Sequence, residues 1–315
     1  MLILDERQTA AALPFIPLID ALEAVFKGQG VMPVRHHHDV EVPGEPNATL
    51  LLMPAWLPGR YVGVKLVSVY PGNGSRGLPA VQGSYLLTSG STGEMLAVID
   101  GGELTARRTA AASALAARSL ARADAETMMI VGTGRLSLNL MQAHAAVRPL
   151  KRFLVWGRSP DKVQQTVEAA RALGFVAESS TDLEAGIRQA DIISCATLSE
   201  EPLVRGEWLK AGSHVDLVGA FKPSMRESDD EAVRRAEVHV DTKAGALAEA
   251  GDIVQALRSG ALKPDDIRGD LFDLSTGRVA GRSSDTAITL FKSVGAAIED
   301  LAGAILAYET VTGRS

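Results

Sequence analysis

The sequence predicts an α/β protein in which a doubly wound parallel sheet is joined to a second domain of the α+β class. Its 315 residues are about twice the ~150 typical of one domain, which favours two domains. From Glu126 onward, short apolar segments alternate with helical segments, the pattern of a parallel sheet with crossover helices. Before that point, alternating apolar residues and turns rich in Pro and Gly indicate mainly strands.

The α+β region is predicted to hold one amphipathic helix followed by strands and turns. In chain order, its elements are a helix at 15–27 that ends at Gly28 and Gly30, short strands within 32–56, extended segments at Tyr61–Val69 and Val81–Leu87, and turns at Pro71–Gly74 and Ser91–Gly93. An Ala-rich segment at 104–122 contains strong helix formers and predicts a long helix. We place the first domain boundary near residue 120.

The following region is predicted to contain six strands and the helices between them. The strands are expected within 127–132, 152–157, 175–179, 191–197, 214–220 and 237–242. Residues 285–311 have few polar interruptions and are interpreted as one helical stretch. This stretch is expected to pack back on the first domain or on a second subunit.

Composition and charge exclude several classes of protein. Hydrophobic residues make up 46% and charged residues 22%, which is typical of a folded globular chain. The net charge of −6 and the lack of a basic run exclude nucleic acid and anionic membranes as expected partners. A single cysteine fits a reducing compartment, and no apolar run approaches the ~18 residues of a membrane span. We therefore expect a cytoplasmic protein.

A glycine turn follows the first strand of the predicted parallel sheet. Gly132 permits a tight turn, Gly134 allows a pyrophosphate to approach the backbone, and the helix from Arg135 offers its N-terminal dipole. Ser137 occupies the third glycine position of the usual dinucleotide fingerprint, so an ordinary strand-to-helix turn is the alternative. The surrounding strand–helix–strand units favour a Rossmann-type dinucleotide site.

The end of the second strand favours NADPH, with NADH as the alternative. Enzymes that use NAD usually place an acid here for the ribose hydroxyls, but Trp156 and Gly157 are followed by Arg158. Arg158, Ser159 and Lys162 offer positive charge and a helix start to a 2′-phosphate. The alternative is that Ser159 is only a helix cap and Arg158 only a solvated charge.

Neither the histidines nor the cysteine predict a metal site or a nucleophile. His36, His37 and His38 are consecutive, and consecutive strand residues face opposite sides, so no metal is expected. Cys195 ends a predicted strand and has no identifiable histidine partner. We expect it to be a small residue that faces the cofactor.

Several longer segments resemble the ornithine cyclodeaminase/mu-crystallin family. They are LTARRTAAASALAAR, the VGTG turn, SCATLSEEPLV, HVDLVGAFKPSMRE, VDTKAGALAEAGDI and TLFKSVGAAIEDLA, in family order over most of the chain. The resemblance implies a substrate-binding and dimerisation domain at 1–120 with 292–315, and a Rossmann domain at 121–291. It also implies a homodimer that acts on small α-imino or α-amino acids with a nicotinamide cofactor.

One departure from the cyclodeaminases points to a different reaction within the family. Where cyclodeaminases have an aspartate that assists ammonia loss, this sequence has Phe221, which can neither accept nor donate a proton. The motif GAF-x-P-x-M-R-E resembles that of the family's Δ1-pyrroline-2-carboxylate reductases, which form L-proline. Δ1-piperideine-2-carboxylate is a further expected substrate. The alternatives are an ornithine cyclodeaminase, an alanine dehydrogenase-like enzyme, or a non-catalytic NADPH-binding protein similar to mu-crystallin.

Three cations match the family's substrate site. Arg35 and Arg108 are expected to bind a carboxylate, and Lys65 to orient it or to protonate the imine nitrogen. Arg107, about 100° away from Arg108 on a helix, is interpreted as a surface charge. Phe221 is expected to form an apolar wall, and Glu249 is either near the substrate or an exposed helical carboxylate.

The predicted cofactor-binding residues follow the ends of successive strands. They are Gly132, Thr133, Gly134, Arg135, Leu136, Trp156, Arg158, Ser159, Lys162, Cys195, Ala196, Thr197, Val218, Gly219 and Ser293.

Overall fold

The computed structural model describes residues 1–314, which form two compact units. The first unit comprises residues 1–108 and 296–314, and the second comprises Thr109–Gly295. The division at residue 108 lies inside one continuous helix, α3 (Gly101–Leu120), so the boundary differs from the one placed near residue 120.

The first unit is a mixed sheet covered by helices. Its elements are β1 (Leu2–Leu4), α1 (Glu6–Ala12), α2 (Phe15–Lys27), β2 (His36–Val40), β3 (Ala48–Leu57), β4 (Tyr61–Val69), β5 (Val81–Ser89), β6 (Met95–Asp100), the start of α3, and α11 (Ala297–Thr312). The strand order is β1-β6-β5-β4-β3-β2, and only the short β1 pairs in parallel. Both the helix at 15–27 and the two extended segments from Tyr61 and Val81 are confirmed.

Helix α11 supplies much of the core of the first unit. It packs on α2 and on β3, β4 and β5. Gly303 allows a close approach, because a Cβ atom there would lie 2.7 Å from Leu104 Cδ1. The C-terminal helix therefore packs on the domain built from the N-terminal residues, which was one of the two expected arrangements.

The second unit is a doubly wound parallel sheet. Its elements after α3 are β7 (Thr127–Val131), α4 (Leu136–Ala145), β8 (Arg152–Trp156), α5 (Pro160–Ala172), β9 (Ala177–Ser179), α6 (Leu183–Gln189), β10 (Ile192–Cys195), β11 (His214–Leu217), α7 (Asp230–Arg235), β12 (Ala236–Val240), α8 (Lys243–Glu249), α9 (Gly251–Ser259), β13 (Ile267–Gly269), α10 (Leu271–Ser275) and β14 (Ile288–Lys292). The order β13-β12-β14-β11-β10-β7-β8-β9 reverses direction between β7 and β10. The predicted Rossmann-type architecture is confirmed.

One part of the predicted secondary structure is wrong. The stretch 285–311 is not one helix, because Ile288–Lys292 forms β14, which pairs with β11 and β12 in the middle of the sheet. All five residues of β14 are buried. A parallel strand covered on both faces has no alternating pattern, so its sequence cannot be distinguished from a buried helix by periodicity.

No single helix among residues 1–314 is long and apolar enough to cross a membrane. Helices α1 and α2 pass a test of length and composition only as a pair, and the pair is bent by 76°.

Candidate active site

Lys65 and Asp300 form a buried ion pair in the first unit. Lys65 lies in the middle of β4, opposite Met53 on β3 and Tyr85 on β5, and only 3% of its surface is exposed. Its Nζ atom is 2.7 Å from Oδ2 of Asp300, which lies in the first turn of α11. A lysine that reaches solvent is therefore excluded at this position.

Arg108 of α3 binds the same carboxylate. Its Nε donates to Asp300 Oδ1 at 2.8 Å, and its Nη1 donates to Glu299 Oε2 at 2.6 Å. The side chains of Glu299 and Asp300 have no exposed surface. Two of the three predicted substrate cations thus converge on one carboxylate, although they lie on different elements.

Arg107, the neighbour of Arg108, points away from this cluster. It donates from Nε to Glu103 at 2.8 Å and from Nη1 to the carbonyl of Leu13 at 3.0 Å, and it lies over the ring of Phe15. Its side chain is only 16% exposed. The interpretation of Arg107 as a surface charge is wrong, because it ties α3 to the start of α2.

The surroundings of Lys65 set its proton affinity. Burial lowers the pKa of Lys65 to about 8; the charge of Asp300 opposes this change, and the charges of Arg108 and Arg35 add to it. Burial disfavours the charge of Arg108, but Asp300 and Glu299 outweigh that effect and raise its pKa. Lys65 is therefore a group that can give up a proton near neutral pH.

Arg35 and Tyr85 complete the surroundings of this cluster. Arg35 is half-buried just before β2, and its charge acts on Lys65. Tyr85 is fully buried opposite Lys65, and its hydroxyl finds no hydrogen-bond partner within residues 1–314. Gly63 makes room for it, because a Cβ atom there would lie 2.1 Å from the Tyr85 hydroxyl oxygen.

The sequence analysis did not identify Asp300 or Glu299 as site residues. Both lie in the segment TLFKSVGAAIEDLA, which was used only for the family resemblance. The signal was available, because these two acids are followed by eight uncharged residues, 301–308, in the same helix. Carboxylates on a buried helix need cationic partners, which a lysine and an arginine elsewhere in the chain supply.

The predicted cofactor residues of the second unit lie along one edge of its sheet. They follow the carboxyl ends of β7, β8, β10, β11 and β14, which include the strands on both sides of the point where the order reverses. Open α/β sheets bind their ligands at this edge. The topology therefore gathers residues that are up to about 160 positions apart in sequence.

The glycine turn fits a dinucleotide. Gly132 has φ +119, and a Cβ atom there would lie 2.8 Å from the carbonyl oxygen of Ala196. A Cβ atom on Gly134 would meet nothing within 4 Å, so the space above it is open. Ser137 donates from Oγ to the carbonyl of Gly132 at 3.0 Å and closes the turn in place of a third glycine. No side chain caps α4, which leaves its N-terminus available to an anion.

The end of β8 is compatible with both interpretations of Arg158, Ser159 and Lys162. They can bind the 2′-phosphate of NADPH, or they can be only a helix cap and solvated charges. Ser159 Oγ accepts a hydrogen bond from the N–H of Lys162 at 3.4 Å and caps α5, whose first residue is Pro160. Arg158 and Lys162 are exposed next to this cap. Two cations therefore lie at the helix start where a ribose would bind.

Cys195 is the last residue of β10. It is fully buried in the hydrophobic core, and burial raises the pKa of its thiol well above the ordinary value. Its thiol interacts with Thr197, in the loop after β10, and with Glu227, so the expectation that it faces the cofactor stays a prediction. A nucleophilic role is disfavoured.

Phe221 and Glu249 belong to the second unit. Phe221 is 43% exposed in the loop after β11, and Glu249 is half-buried at the end of α8. Their predicted approach to the substrate stays a prediction, as do the roles of the individual cofactor residues.

Comparison with known proteins agrees with this arrangement. A model of the ornithine cyclodeaminase/mu-crystallin family matches residues 7–315. A Δ1-pyrroline-2-carboxylate reductase of Paracoccus denitrificans is 38% identical over 283 residues, covering 90% of this chain and 89% of the relative. The Thermococcus litoralis Δ1-pyrroline-2-carboxylate reductase, solved in complex with NADH and L-proline, superimposes with a TM-score of 0.92 at 34% identity over 99% of this chain and 98% of that chain.

An archaeal alanine dehydrogenase dimer with bound NAD has a TM-score of 0.90 at 30% identity, covering 100% of this chain and 97% of that chain. The match in sequence extends over almost the whole chain, and so does the match in fold. The chain therefore belongs to the ornithine cyclodeaminase/mu-crystallin family.

Proposed function

We propose that this protein is an NAD(P)H-dependent reductase of cyclic ketimine carboxylates, which converts Δ1-pyrroline-2-carboxylate to L-proline. The observation that carries the proposal is the buried cluster of Lys65, Arg108 and Asp300, because it offers both a carboxylate-binding cation and a transferable proton. The likeness to reductases of this substrate supports the proposal.

Arg108 is suited to bind the substrate carboxylate. A guanidinium has more N–H donors than its bonds to Asp300 and Glu299 use. These two carboxylates fix the plane of the guanidinium before a substrate arrives, so little freedom is lost on binding. Arg35 adds a second positive charge to the same neighbourhood.

Lys65 is suited to protonate the imine nitrogen. With a pKa of about 8, its ammonium group predominates at neutral pH and yet releases a proton readily. Asp300, 2.7 Å away, stabilises the charged form. A reduced nicotinamide, when bound, would supply a hydride to the imine carbon, and Lys65 would supply the proton that the imine nitrogen gains, which balances the reduction.

A substrate panel tests the proposed reaction. Purified protein is assayed with Δ1-pyrroline-2-carboxylate, Δ1-piperideine-2-carboxylate, pyruvate with ammonia, and ornithine, following NAD(P)H absorbance and ammonia. We expect oxidation of NAD(P)H with cyclic imines and no ammonia release from ornithine, since Phe221 stands where the cyclodeaminases carry an acid. Ammonia release with catalytic NAD would contradict the proposal in favour of a cyclodeaminase.

NADPH is the proposed cofactor, supported by the exposed Arg158 and Lys162 beside the capped start of α5. Replacing Arg158 with alanine should raise KM for NADPH about tenfold and leave KM for NADH within about twofold, since only NADPH carries a 2′-phosphate. The matched control is Arg171→Ala, at the far end of the same helix. Equal effects on both cofactors would remove Arg158 from phosphate recognition.

A homodimer in the cytoplasm is the proposed assembly and location. The face of the first sheet opposite Lys65 carries half-buried apolar side chains, including Leu52, Trp56, Val64 and Leu86, which a second copy would cover. Light scattering should then give about twice the chain mass of 33.2 kDa. The single cysteine supports the proposed location, because it fits a reducing compartment.

A further inference from the structure

Lys292, Glu227 and Asp252 form an ion cluster inside the second unit. None of the three has any exposed surface. The Lys292 Nζ atom lies 3.2 Å from Asp252 Oδ2 and 3.9 Å from Glu227 Oε2. Removing three charged groups from water is costly, and an apolar cluster of the same size would usually be as stable. Stability alone therefore does not account for this cluster.

Two of these charges are bonded directly to loops at the cofactor edge of the sheet. Glu227 Oε1 accepts hydrogen bonds from the N–H of Thr197 at 2.6 Å and from its hydroxyl at 2.8 Å. Lys292 Nζ donates to the carbonyl of Gly219. The cluster thus connects the loop after β10 with the loop after β11.

Asp252 holds the backbone of Glu227 in place. Its Oδ1 accepts hydrogen bonds from the N–H groups of Glu227 at 2.9 Å and Ser228 at 2.8 Å. The position of Glu227 is therefore determined from the start of α9. This chain of contacts lies entirely within the second unit.

The loop after β11 holds an unusual backbone conformation. Ala220 is fully buried and has φ +49, the one positive value for a residue other than glycine within residues 1–314. Its carbonyl accepts a hydrogen bond from Gly251 N–H at 2.9 Å, and a Cβ atom on Gly251 would lie 1.9 Å from the carbonyl oxygen of Met225. Such strain persists where surrounding contacts enforce it, often at functional sites.

The position of these loops indicates what they contact. A dinucleotide binds across the point where the strand order reverses, with the ribose of the adenosine half recognised after the second strand, here β8. The strands on the other side of β7 are β10 and β11, so their loops lie toward the nicotinamide half. We infer that Lys292, Glu227 and Asp252 are positioning residues that hold the loops after β10 and β11 in the shape that binds this half. The inference rests on the proposed use of a nicotinamide cofactor.

The test compares binding of NADH, without an imine, across variants of Glu227. Burial raises the pKa of Glu227 to about 7, against the effect of Lys292, so binding is measured at pH 8, where the carboxylate predominates. Glu227→Ala should raise the Kd for NADH about tenfold or more, because both bonds to Thr197 are lost. Glu227→Gln keeps an acceptor oxygen and should restore the Kd to within about threefold of wild type.

The matched control removes a buried hydrogen bond from the same two strands. Ser194 on β10 donates to Asp216 Oδ2 on β11 at 2.6 Å, one strand residue before the loops begin. Ser194→Ala should lower Tm and leave the Kd for NADH unchanged. A similar loss of binding in Ser194→Ala would attribute the effect to general destabilisation and overturn the inference.

A milder variant tests the positioning role if Glu227→Ala does not fold. Glu227→Asp keeps the charge opposite Lys292 but shortens the side chain by one methylene, so it should raise the Kd at least about threefold. A wild-type Kd in a folded Glu227→Ala or Glu227→Asp protein would refute the positioning role. A wild-type protein that binds NADH but reduces no imine contradicts the proposed reaction alone. A protein that binds neither NADH nor NADPH contradicts both proposals.

Discussion

Replacing Lys65 with methionine is expected to lower kcat for Δ1-pyrroline-2-carboxylate by about 10²- to 10⁴-fold, the usual loss on removing a general acid. The Kd for NADPH should stay within about twofold, because Lys65 belongs to the first unit and the predicted cofactor residues to the second. Methionine fills the space of the lysine stem, and Asp300 keeps its bond to Arg108. Steady-state kinetics and fluorescence titration with NADPH measure the two quantities.

The variant Lys65→Arg distinguishes the role of the positive charge of Lys65 from its role as a proton donor. Arginine keeps the positive charge but does not release a proton at accessible pH, so kcat should fall while KM for the imine changes less. Lys27→Met, at an exposed pair with Glu23, is the matched control for loss of a lysine. Wild-type turnover in Lys65→Arg would assign Lys65 a purely electrostatic role.

Replacing Asp300 with asparagine is expected to move the pH profile of the reduction to lower pH. The reaction requires protonated Lys65, so the rate falls as pH rises through the pKa of Lys65, which is about 8 in the intact protein. Without the Asp300 charge, burial and the charges of Arg108 and Arg35 act unopposed and lower this pKa further. The pH at which the rate has fallen to half of its maximum on the alkaline side, the midpoint, should therefore decrease by about one pH unit or more.

The control for this profile is Glu299→Gln. Glu299 binds Arg108 at 2.6 Å and is not among the largest influences on the pKa of Lys65, so the midpoint should move less than in Asp300→Asn. Asp300→Asn should also lower the free energy of unfolding by about 3–5 kcal/mol, because Lys65 loses its buried counter-ion. An unshifted midpoint in a folded Asp300→Asn protein would show that Asp300 does not control the proton of Lys65.

Much of the fold was predictable because its signals are local. Alternation in Tyr61–Val69 and helical spacing in Phe15–Lys27 depend on which side chains face the core within one element. The secondary structure of segment 288–292 was predicted wrongly for a related reason. A strand that is buried on both faces loses the alternation by which it would be recognised.

The candidate site was only partly predictable. The resemblance pointed to Lys65 and Arg108, and the glycine turn pointed to the cofactor edge. The acids Glu299 and Asp300 were missed. The charge state of Lys65 depends on burial and on partners from other elements, which have no local signature.

The sequence by itself determined most of the strands and helices, the glycine turn and the cations available for a carboxylate, since these follow from residue type and near-neighbour spacing. Only the tertiary structure decided that Arg108 and Lys65 bind the same buried carboxylate, that of Asp300, which lies 192 positions after Arg108 in the sequence. The reason is that desolvation and Coulomb interaction depend on distance in space. The chain brings those groups together only when α3, β4 and α11 pack.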